Sequence, residues 1–261
     1  MSQFLNHKGA CEILRKIESY PANYLLIHYS CESFYDIKDG RTPRITSIAI
    51  RHLSTGQTES FSLHKTAEQM GITSTMISDN YDIIEKEMLD EYFQFLKENK
   101  DKFFIHVNMR DINYGFQAIE HRYKVLKGVP FLLQDSQKID FARLLVHLFG
   151  NRYIGHPRME TLFKLNGIKP LFFLTGKEEA ESFEKHEYVK LHQSTLSKVD
   201  IYSNLLERAI KGTLKTNAKW YEIYGISPQG IFEYCKCQWW VQLIWTISVL
   251  FLGAYVGSLF G

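Results

Sequence analysis

The chain predicts an α/β protein in which one mixed sheet is covered by helices, followed by a single C-terminal helix long enough to cross a membrane. Three observations lead there. Apolar runs at residues 24–31, 45–53 and 58–64 come first, with strand-like composition and a turn "STGQ" between the last two. Helical-period segments then alternate with a short apolar run, the order of a sheet that is partly antiparallel and partly parallel. Residues 239–260 carry no charged side chain at all.

The elements follow in order. "NHKGACEILRKIES" spaces its charges helically and has no apolar core segment of the kind a secretory signal needs. "YLLIHYSC" is the first strand, and "ITSIAIRHL" and "TESFSLH" form a hairpin after it. In "NYDIIEKEMLDEYFQFLKENK" the positions Ile83, Ile84, Met88, Leu89, Tyr92, Phe93, Phe95 and Leu96 recur at helical spacing. "KFFIHVN" is a short buried strand, and "DINYGFQAIEHRYKVL" predicts a helix opening at Asp111. "KIDFARLLVHLFG" and "RMETLFKLNG" are helices closed by glycine, and "KEEAESFEKHEYVKLH" and "TLSKVDIYSNLLERAIKG" make a final helical pair. The resulting boundaries are a helical segment at 1–23, the α/β domain at 24–212, a linker at 213–237 and the membrane helix at 238–261.

Composition narrows the function classes. Lys and Arg number 31 against 29 Asp and Glu, so no global charge excess announces a nucleic-acid protein, and any phosphate-binding surface is local. Basic residues from Lys97 to Lys127, including Arg110 and Arg122, offer one such patch, with a solvated helix face as the ordinary alternative. The four cysteines lack paired or zinc-ligand spacing, which fits a reducing compartment. Phosphate-binding loops, serine-hydrolase elbows and zinc-protease motifs are missing from the sequence.

The last segment predicts a single-pass anchor in the cell membrane with the α/β domain in the cytoplasm. Trp239, Trp240 and Trp245 suit an interfacial aromatic belt, and Lys236 is a cation on the cytoplasmic side. Gly253, Gly257 and Gly261 recur every fourth residue along one helix face, a small-residue pattern that predicts homo-oligomerisation within the membrane.

Four stretches carry a family likeness. "YSCESF" ends the first strand with Ser30 and Glu32; "FFIHVNMRDINYGF" places His106, Asn108 and Asp111 after the fourth; "IDFARLLVHLF" is followed by "HPRMETLFKLNGI"; and "HQSTLSKVD" holds His192, Gln193, Lys198 and Asp200. Over roughly Tyr24 to Gly212 this order resembles the DEDDh exonuclease superfamily, whose RNase H-like fold cleaves DNA or RNA from the 3′ end with two metal ions. The resemblance implies that Glu32 and Asp111 occupy metal-ligand positions and that His106 and Asn108 line the second motif. It also places Ser30 where the family has its first aspartate. Gln193 and Lys198 stand where the family has its histidine base and last aspartate.

Those departures bear on the chemistry. A two-metal centre needs several carboxylates to hold both cations, and an ammonium at position 198 repels metals and can neutralise Glu32 and Asp111. The expectation is therefore a pseudo-exonuclease that binds rather than cuts, with no cofactor, a nucleic acid or nucleotide as ligand, and a self-associating span. By analogy of layout it is a membrane effector of prokaryotic antiviral defence, with a protein partner from the same system. The alternatives are an active exonuclease using Mg²⁺ or Mn²⁺, with His192 as base and Asp200 as ligand, and a structural adaptor. Positions 198 and 200 lie about 200° apart on a helix, so Asp200 faces away if Lys198 faces in.

Overall fold

A computed structural model describes residues 2–33, 42–236 and 238–260. Its helices are α1 (Gln3–Ser19), α2 (Leu63–Gln69), α3 (Tyr81–Glu98), α4 (Phe116–Val125), α5 (Phe141–Phe149), α6 (Arg158–Leu165), α7 (Gly176–Glu184), α8 (Tyr188–Ile210), α9 (Trp220–Tyr224), α10 (Pro228–Lys236) and α11 (Trp239–Phe260). The strands are β1 (Tyr24–Cys31), β2 (Ile45–His52), β3 (Thr58–Ser62), β4 (Phe103–His106) and β5 (Lys138–Asp140).

The sheet runs in the order β3-β2-β1-β4-β5. Strands β1, β2 and β3 pair antiparallel, while β4 lies parallel to β1 and β5 parallel to β4. The mixed sheet foreseen from the sequence is thus present. Strand β1 is central and covered on both faces, which is why it reads as a continuous apolar run rather than an alternating one. Leu25, Ile27 and Tyr29 pack with Ile48 and Ile50 against Met88, Leu89 and Tyr92 of α3 and Ile119 of α4. The opposite face meets α8, where the Thr195 and Ser47 hydroxyls lie 2.7 Å apart and Tyr202 meets the His28 ring edge-on at 5.4 Å.

Pairing between β1 and β2 slips between Ser30 and Cys31, so that Cys31 faces Ile45. Helix α3 holds the Ile45 peptide at this irregularity from both sides. Its Glu85 carboxylate accepts the Ile45 N–H at 2.7 Å, and its Tyr81 hydroxyl donates to the Ile45 carbonyl at 3.1 Å. Glu85 is fully buried and is held by Arg122 of α4, with Nε donating at 2.9 Å and Nη2 at 2.5 Å. Arg122 is therefore buried, not part of the basic surface patch read from the sequence.

Several boundaries differ from the sequence reading. "SLH" does not extend β3: Ser62 ends the strand and Leu63 opens α2, because Leu63, Thr66 and Ala67 are buried at helical spacing. "KID" is strand β5, pairing with Phe104, Ile105 and His106, and precedes α5. The helix expected from Asp111 starts five residues later, at Phe116. The break between α7 and α8 falls at His186, in the left-handed region at φ 56°. The supposed linker at 213–237 contains α9 and α10, with Trp220 stacked on Tyr234 at 4.8 Å.

The chain divides into two compact units. One comprises Ile13–Leu144 and His156–Lys215 and holds the sheet; the other comprises Met1–Glu12, Leu145–Gly155 and Thr216–Gly261. In the second, Gln3 donates to the His147 carbonyl at 3.0 Å and His7 meets Tyr224 at 5.0 Å between ring centroids. Helix α11 has 22 residues, about 33 Å at 1.5 Å per residue, and no residue of Trp239–Val256 is buried. It is long and apolar enough to span a membrane.

Candidate functional site

The end of β1 places Ser30 and Glu32 side by side along the chain where the sheet runs out. Both are buried, at 2% and 6% exposure. The Glu32 N–H donates to the Arg44 carbonyl at 2.8 Å, and its carboxylate accepts the Arg44 N–H at 3.3 Å, so the strand end is anchored from the β2 side. Among the described residues the Ser30 Oγ has no hydrogen-bond partner. A buried hydroxyl left unpaired costs free energy, so this one is ready to bond to a ligand or water.

A cavity of about 510 Å³ opens here, lined by Tyr29, Ser30, Glu32, Tyr114, Lys177 and Glu179 among others. That volume is in the range of small-molecule sites. Tyr114 stacks on Tyr29 with centroids 4.6 Å apart, and its hydroxyl donates to the Tyr29 carbonyl at 3.1 Å. The stack depends on Gly115: a Cβ there would come within 2.6 Å of the Met109 carbonyl carbon and oxygen. The Gly115 N–H in turn donates to the Tyr29 hydroxyl at 2.9 Å.

The Lys198 ammonium is buried and lies 2.7 Å from the Glu179 carboxylate of α7. Its partner is thus Glu179, whereas the sequence reading had it neutralising Glu32 and Asp111. Glu179 also accepts the Ser194 hydroxyl at 2.8 Å, and the ammonium sits 5.6 Å from the Phe173 ring centroid. Burial, with the Lys198 charge adding to it, holds His28 neutral well below the usual histidine range. Burial, reinforced by the Glu179 and Glu32 carboxylates, pushes the Cys31 thiol up, so Cys31 is no thiolate nucleophile at neutral pH.

His106 ends β4 opposite Asp140 of β5. Asp140 caps α5 by accepting the Ala142 N–H at 2.9 Å and pairs with Arg110 at 2.6 Å; Arg110 also donates to the Asn108 side chain at 3.0 Å. Asn108 is in the left-handed region, with φ 57°. Burial lowers the His106 pKa to about 4, outweighing the Asp140 carboxylate, which raises it. Its Nδ1 accepts the Met109 N–H at 3.2 Å, a bond that only the unprotonated nitrogen makes. The folded pKa lies below the unfolded value of about 6.5, so this contribution to stability is complete above that pH. It is lost as pH falls towards 4, and thermal melts at pH 7.5 and 4.5 should show a smaller loss for His106→Gln than for the parent.

Asp111 does not open a helix. It is exposed in a short turn bridged by Arg110 and Gly115, its carboxylate accepting the Asn113 N–H at 2.8 Å. The D-x-N-x-G order favours that Asx turn over a helix cap. Asp111 is not among the residues lining the cavity. His192 lies beside His64 of α2, with ring centroids 5.1 Å apart, rather than in the cavity. Asp200 is exposed and pairs with Arg51 at 2.5 Å, on the opposite side of α8 from the Lys198 partner. Gly253 has open space around it, Gly257 is in α11, and Gly261 lies outside the described residues, as do Phe34–Asp36 and Cys237.

The sequence reading missed Glu179. It stands in an ordinary amphipathic acidic helix, and only the return of α8 brings Lys198 to it. The positions that the resemblance assigns to metal ligands differ in kind and in place. Ser30 is neutral, Asp111 is turned into its own loop, and an ammonium sits beside Glu179. Among the described residues no three His, Cys, Asp or Glu side chains gather closely enough to hold a metal ion.

No protein-family model matches the chain, and no curated protein matches it.

Proposed function

We propose that this chain is a membrane-anchored, RNase H-like pseudo-exonuclease, whose α/β domain binds a nucleotide or short single-stranded nucleic acid at the end of β1 without cutting it. The observation that carries this reading is the Lys198–Glu179 ion pair beside a strand end where Ser30 replaces the acid. Cation charge is supplied by the protein, so hydroxyl, amide and ring contacts rather than metal ligation are left for a ligand. Ser30 has an unpaired hydroxyl, Glu32 a carboxylate able to accept sugar or base donors, and Tyr114 a ring in the cavity lining. Lys177, also in that lining, would meet a phosphate of such a ligand.

The test is binding of fluorescent mononucleotides and short single strands to the full chain in detergent. Saturable binding, weakened at least tenfold by Tyr114→Ala and by Ser30→Val, is the expected outcome. Equal binding by both variants and the parent would remove the site.

Helix α11 supplies the anchor in this reading, and the Gly253 and Gly257 face brings copies together, as a membrane effector of a defence system requires. Replacing both glycines by leucine is expected to reduce the particle size in detergent; an unchanged size would count against the glycine face.

A further inference from the structure

Away from the cavity, two histidines from separate elements meet under the edge of the sheet. His64 is the second residue of α2 and His192 lies in the second turn of α8. Their ring centroids are 5.1 Å apart and the rings are inclined at 51°. His64 Nδ1 and His192 Nε2 are both buried, and among the described residues neither has a hydrogen-bond partner. Two orphaned imidazole nitrogens in one place require an explanation, because a buried nitrogen without a partner is costly.

Packing alone does not supply it, since the ring contact satisfies neither nitrogen. The spacing fits another occupant. A divalent cation about 2.0–2.1 Å from each nitrogen lies about 3.2 Å from each ring centre, and a tetrahedral angle then puts the centroids about 5.2 Å apart.

We propose that His64 and His192 form a bis-imidazole site for a zinc-class divalent cation, which ties the start of α2 to α8. Imidazole is a borderline ligand suited to Zn²⁺, Co²⁺, Ni²⁺ and Cu²⁺ rather than to Mg²⁺. Among the described residues no third His, Cys, Asp or Glu joins the pair, so water completes the shell. His64 is only half-buried, which gives water and the ion a way in. Lys65 opposes a cation at both rings, and Glu68 favours it at His64. The role is that of a staple, because α2 follows the edge strand β3 and α8 covers the sheet. This site is independent of the nucleotide cavity and of any ion at Glu32.

The experiment titrates the full chain in detergent, free of any affinity tag, with Co²⁺ and then displaces it with Zn²⁺. The parent is expected to bind one Co²⁺ with visible d–d absorption. Its melting temperature should rise by about 5–10 °C when Zn²⁺ is at 100 times its dissociation constant. His192→Ala and His64→Gln should each abolish both signals, while Glu32→Gln keeps them and Mg²⁺ produces neither. Should His192→Ala fail to fold, His64→Gln at the half-buried ring decides alone. Undiminished binding in His64→Gln, loss of binding in Glu32→Gln only, or no Co²⁺ signal from the parent would each overturn the site.

Discussion

Glu85→Ala is expected to lower the unfolding free energy of the α/β unit by about 3–5 kcal/mol, the usual cost of stripping a buried charge of its partner. Glu85 is the hub of a buried cluster in which Arg122 donates to its carboxylate twice and Ile45 once, while Arg122 also reaches Asp82 at 2.5 Å. Removing the carboxylate leaves a guanidinium at 6% exposure with the outlying Asp82 as its remaining acidic partner among the described residues, and an Ile45 N–H without its acceptor. The pair is held at a cost: burial raises the Glu85 pKa even against the pull of Arg122. Replacing both partners by apolar residues, Glu85→Leu with Arg122→Met, should therefore cost less than the single change, and urea unfolding of the three proteins measures the difference. A single-mutant loss below about 1 kcal/mol would contradict the buried-cluster account. The effect reaches the site, because the Ile45 peptide fixes the β1 irregularity immediately before Glu32.

The second large effect concerns α11. Ile247→Lys combined with Leu250→Lys puts two ammonium groups at the middle of the helix, each costing about 2.5–3.5 kcal/mol in a bilayer before the lost apolar residues are counted. The parent chain should stay with membranes through alkaline carbonate washing, whereas the double variant and a chain lacking residues 239–260 should move to the soluble fraction. Parent and double variant extracted alike would contradict a span. Its apolar side chains are exposed around its whole circumference, Leu243, Ile244, Val249 and Leu252 among them, which is the pattern a span requires.

Much of the sheet was legible because its strands obey local rules. Strand β1 reads as a run buried on both faces, β2 and β3 as a hairpin, and Gly150 and Gly167 close α5 and α6 with positive φ. The misreadings occurred where two local rules compete. "SLHKTAE" fits both the end of a strand and the start of a helix, and burial of Leu63, Thr66 and Ala67 decides for the helix. "DINYG" offers Asp111 as a cap or as an Asx turn, and the turn wins once Gly115 must pass against Met109. The site was legible only in part. Ser30, Glu32 and Lys198 were singled out only through the family resemblance, and the Lys198 partner was not singled out at all. Glu179 is nineteen residues away in sequence, and nothing in its acidic helix separates it from Glu178, which caps that helix through Thr175.

The central claim is that the β1 end binds without metal-dependent cleavage. Its most direct test is incubation of the full chain in detergent with end-labelled single-stranded DNA and RNA, in Mg²⁺ and separately in Mn²⁺, beside Glu32→Ala. The account predicts intact strands in both metals, with no difference between parent and variant. Stepwise shortening from the 3′ end by the parent, abolished in Glu32→Ala, would contradict it.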